Sequence, residues 1–199
     1  MSKVSSHKRR EINEQKYRAG VSCNPLHEVT LTSFGLGIVA GLLIGSIRTI
    51  TLKNLNAYVA FICLFHFLEY YITAKFNPWK VNRDSFLLNN GSAYILCHLM
   101  ATLECLLEYI FFPKLILGGS SRIRSMLITS GYICIIVGQT IRSLAMATAG
   151  RSFSHMLQTE KKTDHELIQD GVYQWARHPS YFGFFWWALG TQMILLNPI

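Results

Sequence analysis

Long apolar runs alternate with short polar connections along this chain. Residues 29–47 form nineteen positions without a charged side chain, enough to cross the hydrocarbon core of a bilayer. Four further runs follow. Residues 55–74 are interrupted by His66 and Glu69, residues 92–112 carry His98, Glu104 and Glu108, residues 126–149 carry Arg142, and residues 179–196 end before Asn197-Pro198. Each run is expected to be helical, because an open strand would leave backbone N–H and C=O groups unpaired in lipid. The predicted fold class is all-α: a polytopic integral membrane protein with five transmembrane helices at these positions.

Composition agrees with that pattern. Half of the 199 residues are hydrophobic and 15% are charged, against about a quarter charged in ordinary soluble domains. The length suits one domain. A net charge of +8 could point to nucleic acid, but the basic residues lie almost entirely outside the apolar runs. They read better as orientation signals. With the N-terminus in the cytosol, thirteen Lys and Arg residues fall on the cytosolic side and five on the other. Residues 1–24 are then a basic cytosolic tail without the pattern of a cleavable signal peptide. Residues 25–199 form the membrane domain, and the polar stretch 150–181 faces the cytosol, within reach of a soluble cofactor. Five cysteines show no CxxC or zinc spacing, and four lie in apolar runs, so reduced thiols are expected. No cluster completes a metal site around His66 or His98; polar packing and no metal are expected there.

Glu69, Glu104, Glu108 and Arg142 lie at membrane depth, where charge is expensive, so each is expected to face the protein interior or a wet cavity. Glu104 and Glu108 share one helix face, and Arg142 is expected to pair with one of them as a structural ion pair. Gly37, Gly41 and Gly45 recur every four residues. Such a small-residue stripe suits a homodimer face or close packing within the chain.

The stretch 158–198 holds the candidate chemistry. Asp170-Gly171 is a turn signal. His178-Pro179-Ser180 opens the last apolar run, with proline where its missing N–H matters least. The start of that helix offers free N–H groups and the positive end of the dipole, a place for a carboxylate or other anion. His165, Tyr173, Trp175, Arg177, His178 and Tyr181 surround it. These residues suit either a binding site or aromatic anchoring at the membrane surface.

Residues 165–198 also match HxL[VI]xxGVYxxxRHPSYxGFFxWxxGTQxxLxNP, and the blocks NPLHEVTLTS, FHFLEYYITAKFNP, SFLLNNG and AGRSFSH precede them. In these strings, from about residue 24 to 199, the chain resembles the isoprenylcysteine carboxyl methyltransferases, in particular fungal members that methylate prenylated mating pheromone. The resemblance implies an endoplasmic reticulum enzyme that methylates the C-terminal carboxylate of farnesyl- or geranylgeranyl-cysteine after CaaX proteolysis. It implies S-adenosylmethionine as donor, bound by Gln158, His165, Glu166, Leu167, Ile168, Tyr173, His178, Pro179, Ser180 and Tyr181. Leu167, Ile168 and Pro179 suit packing roles as well as contact. Arg177 is the candidate cation for the substrate carboxylate. That carboxylate, with a pKa near roughly 3.5, is already ionised, so no general base is needed.

The family pattern continues beyond Ile199 with a sixth helix, an Arg that meets substrate and a Glu that meets the cofactor. The chain is therefore expected to be a truncated form. Two alternatives stand beside this reading: a related membrane enzyme that methylates a phospholipid amine or reduces a sterol, and an inactive membrane scaffold. No GxGxxG following a strand supports a nicotinamide site.

Overall fold

The structure, a computed structural model, describes residues 24–49, 51–112, 122–155 and 167–197. These residues form five helices: α1 (Leu26–Gly45), α2 (Lys53–Phe76), α3 (Ser92–Phe111), α4 (Arg122–Ala149) and α5 (Pro179–Leu195). Short 3-10 turns occupy Arg83–Phe86, Gly150–Ser152 and Gly171–Gln174. No strand occurs among the described residues, and the all-α membrane architecture read from the sequence is the one observed. Four stretches have the length and apolar character of a membrane crossing: α1, α2, α3, and α4 continued to Ser152. The fifth predicted span is the shorter α5, 17 residues, or roughly 25 Å at 1.5 Å per residue.

Apolar surface points outward as lipid requires. No residue of α1 is buried, and Leu31, Phe34, Leu42 and Ile44 are all exposed. Leu99 and Ile110 on α3, and Ile133 and Ile136 on α4, continue this surface. A helix apolar on every side belongs in a membrane when its neighbours do not cover it.

The tightest packing joins α4 and α5 in antiparallel order. Gly131 faces Gly190 and Gly138 faces Gly183. A Cβ on Gly138 would lie 2.5 Å from the Gly183 carbonyl oxygen, and one on Gly183 would lie 2.5 Å from that of Gly138. The two positions are seven residues apart on each helix, hence on one face after two turns. This is the small-residue contact of the bundle. The glycines at 37, 41 and 45 are different: a Cβ there meets nothing within 4 Å, so they do not mediate close packing within the chain.

Trp187 of α5 is buried against Phe65 of α2, ring centroids 4.5 Å apart, with Ile135, Ile194 and Leu195 in the same core. His66 and His98 are polar packing, as expected. His66 Nδ1 lies 2.7 Å from the Phe86 carbonyl and so carries the proton; its Nε2 accepts from the Tyr94 hydroxyl at 3.1 Å. Tyr58 hydroxyl and His98 Nδ1 are 2.6 Å apart.

The α2–α3 connection and the segment after α4 meet at one end of the bundle. Lys80 Nζ donates to the Arg151 carbonyl at 2.5 Å, and Asn77 Nδ2 to the Phe153 carbonyl at 3.3 Å. The Arg151 guanidinium sits 3.9 Å above the Trp79 ring. Antiparallel order alone brings these two connections to the same end.

Candidate functional site

At that end opens a cavity of about 310 Å³. One wall is the start of α5, His178 to Tyr181. Another is the turn after α4, Ser152 to His155. Tyr173, Leu87 and Asn90 complete the rim, and Phe65, Arg142 and Phe184 lie on the bundle side.

Local sequence explains the first wall. Pro179 stands at the first helical position and His178 at the N-cap, with no side-chain cap. The N–H groups of Ser180 and Tyr181 therefore have no partner within the helix, and the positive dipole end lies beside them. Gly171 takes a left-handed φ of 56° just ahead of this wall. That conformation starts the turn that carries Tyr173, whose hydroxyl donates to the Ala145 carbonyl at 3.3 Å. Burial pushes the Tyr173 phenol up, so it remains a neutral donor.

A buried charge network lies against the cavity. Arg142 binds Glu69 bidentately, Nε to Oε1 at 2.5 Å and Nη2 to Oε2 at 2.8 Å. Its Nη1 donates to Ser180 Oγ at 3.1 Å and reaches the Ser180 carbonyl at 3.5 Å. His155 Nδ1 lies 3.5 Å from Glu69 Oε2. Its Nε2 is 3.2 Å from Thr73 Oγ1, whose proton goes to the Glu69 carbonyl at 2.7 Å. His155 Nε2 must then be the donor, which leaves Nδ1 with a bare lone pair. Burial, aided by Arg142 and opposed by Glu69, holds His155 below its ordinary value, in keeping with the neutral ring.

This pairing corrects the expectation that Arg142 meets Glu104 or Glu108. Helix α4 packs on α2 and α5 rather than on α3. Glu104 and Glu108 instead line a separate apolar cavity of about 530 Å³.

Of the residues singled out from the sequence, Tyr173, His178, Pro179, Ser180 and Tyr181 come together around the cavity. Leu167 is 85% exposed; neither it, nor Ile168, nor the exposed Arg177 is part of the lining. Gln158, His165 and Glu166 lie outside the described residues. Trp175, 90% exposed, fits a surface anchor. Neither Asn90 nor any single residue of Ser152–His155 was singled out from the sequence, although residues 152–155 belong to the stretch 150–181 expected within reach of a soluble cofactor. Their signal was present in SFLLNNG and AGRSFSH, two polar strings between apolar runs.

The arrangement suits a ligand with an anionic end and a flat or cationic body. Unpaired N–H groups fit the anion. Phe153 and Tyr181 in the lining suit a planar or cationic group. The size falls within the usual range for small-molecule sites, about 300–1,000 Å³.

Comparison with known proteins follows the same line. The isoprenylcysteine carboxyl methyltransferase family matches residues 131–199. The chain is 53% identical over 176 residues to the protein-S-isoprenylcysteine O-methyltransferase of Saccharomyces cerevisiae, covering 88% of this chain and 74% of that protein. It is 43% identical over 176 residues to the Schizosaccharomyces pombe protein of the same name, covering 82% and 70%. A solved eukaryotic intramembrane Ras methyltransferase matches with a TM-score of 0.75 and 36% identity, over 82% of this chain and 57% of that one. The chain thus spans less than two thirds of the length of that solved protein.

Proposed function

Because the chain belongs to the isoprenylcysteine carboxyl methyltransferase family, we propose that it moves a methyl group from S-adenosylmethionine to the C-terminal carboxylate of a prenylated cysteine. The observation that carries the reading is the cavity at the start of α5, which opens at the end of an apolar bundle and overlaps the family match. A prenyl group partitions into lipid while its carboxylate stays at the surface, so a cavity at the bundle end suits both halves. Acceptors are farnesyl- or geranylgeranyl-cysteine at the ends of processed CaaX proteins. The cavity faces the cytosol, and the membrane is that of the endoplasmic reticulum.

The residues present fit S-adenosylmethionine. The first turn of α5, with Ser180 and Tyr181, would hold its carboxylate. Tyr173 and His178 would supply polar contacts, and Phe153 and Tyr181 aromatic ones. When bound, the donor supplies a methyl carried on a positively charged sulfur. The protein has no proton to remove, because the acceptor carboxylate is ionised at cytosolic pH. Its task is to orient two reactants and exclude water; good orientation is worth on the order of 7–11 kcal/mol of barrier. Arg177, exposed and next in sequence to His178 of the lining, is the cation that would meet the acceptor carboxylate.

Methyl transfer from radiolabelled S-adenosylmethionine to N-acetyl-S-farnesylcysteine tests this. Membranes would carry the chain alone or joined to the C-terminal segment of the Saccharomyces cerevisiae relative. Donor-dependent labelling in either form supports the reading. No labelling in either, with both inserted normally, refutes it and favours the scaffold.

A further inference from the structure

The buried Glu69–Arg142 pair invites an explanation other than stability. Pairs of this kind are often replaced by apolar residues at no loss, or with a gain, because desolvation offsets the attraction. An ionisable group at membrane depth is a functional candidate for the same reason. Here the pair does not simply join two helices. From α2 and α4 it extends to both walls of the cavity.

On one side, two guanidinium nitrogens are committed to the two Glu69 oxygens, and the third holds Ser180 by hydroxyl and carbonyl. Ser180 is the second residue of α5, so its position sets where the free N–H groups of the first turn point. The guanidinium lies against the rings of Phe65 and Phe184, 5.4 and 5.2 Å from their centroids, which limits its swing. On the other side, the Glu69 turn of α2 carries Thr73, and the Thr73 hydroxyl receives the His155 Nε2 proton. His155 belongs to the opposite wall, with Ser152 and Phe153.

We propose that Glu69 and Arg142 are positioning residues for methyl transfer: their pair sets the first turn of α5 against the His155 wall, and thereby the seat of the donor. The inference rests on the methyltransferase reading above. Neither residue needs to touch the reacting atoms. Arg142 acts through Ser180, and Glu69 acts by fixing the plane of Arg142.

The test is a double-mutant cycle on the chain in membranes, in whichever form above turns over. Arg142→Lys keeps the charge but loses the planar fork that serves Glu69 and Ser180 together. It is expected to lower kcat on the order of 100-fold, the scale of a 1 Å misplacement. KM for S-adenosylmethionine should rise severalfold, while KM for N-acetyl-S-farnesylcysteine stays within about twofold. Ser180→Ala leaves the ion pair intact and removes only the hydroxyl half of the Arg142 contact with Ser180, raising the donor KM severalfold and no further than Arg142→Lys does. If Arg142 acts through Ser180, the double variant is no worse than Arg142→Lys alone. The reversed pair, Glu69→Arg with Arg142→Glu, restores an ion pair but puts no donor beside Ser180, and is expected not to recover the donor KM. Additive effects in the cycle would overturn the proposal, as would recovery by the reversed pair. So would an Arg142→Lys protein that is merely less abundant, with both KM values unchanged. A wild-type chain that transfers no methyl group in either form fails earlier, at the function itself, and takes this inference with it.

Discussion

Gly138→Ala measures how closely α4 and α5 depend on their glycines. The new Cβ would sit 2.5 Å from the Gly183 carbonyl oxygen and 2.6 Å from the Trp187 nitrogen. Both are backbone atoms of a packed helix, so no side chain can swing aside. Relief requires the helices to separate by about 1 Å, since ordinary carbon contacts lie near roughly 3.5–4.0 Å. Overpacking of this kind costs about 1–3 kcal/mol, and backbone against backbone belongs at the upper end. Alanine recovers roughly 1 kcal/mol of helix propensity. The net expectation is a loss of about 2 kcal/mol, or a Tm lower by roughly 4–8 °C for a chain of this size. Thermal unfolding in detergent reads it. Gly35→Ala is the control: a Cβ there meets nothing within 4 Å, so only the propensity gain remains and Tm should hold or rise. A Gly138→Ala protein at least as stable as wild type would refute the packing argument.

Other perturbations test the site and its surroundings. Burial holds His155 below its ordinary value of 6.5, so the unfolded chain binds the extra proton first. Its contribution to stability is full above pH 6.5 and lost as pH falls through the window down to the lowered value. His155→Gln should flatten Tm over that window; an unchanged slope would assign the pH dependence to another group. Arg177→Ala should lower turnover far more than donor affinity, measured as kcat against donor binding; unchanged turnover removes Arg177 from the mechanism. If Gly37, Gly41 and Gly45 form a homodimer face, Gly41→Cys should crosslink in membranes. Absence of a crosslinked dimer from cysteines at all three positions rules that face out.

Much of the site was legible because its residues are contiguous. Residues 173–181 pass from a 3-10 turn into the first turn of α5, so Tyr173 and His178–Tyr181 necessarily share a neighbourhood. Arg177 sits inside the same stretch but outside the lining. Which way a residue between two turns points depends on backbone angles that spacing does not specify. Asn90 and His155 come from other connections, and no pattern within either string says that the two meet. The glycine contact within the chain went unread for a related reason. A four-residue repeat in α1 is conspicuous, whereas Gly131, Gly138, Gly183 and Gly190 form a pattern only when two helices are laid antiparallel.

By itself, then, the sequence determined the helices, their approximate ends and the membrane setting. Backbone hydrogen bonding in lipid permits few other solutions for uncharged runs of this length. It also determined the family and the stretch that carries the chemistry. Only the tertiary structure decided the partner of Arg142. Three carboxylates lay at suitable depth, and the packing of α4 on α2 and α5 selected Glu69. Pairing across helices depends on rotation and on choice of neighbour, and hydrophobic periodicity leaves both open among helices that are apolar nearly all round.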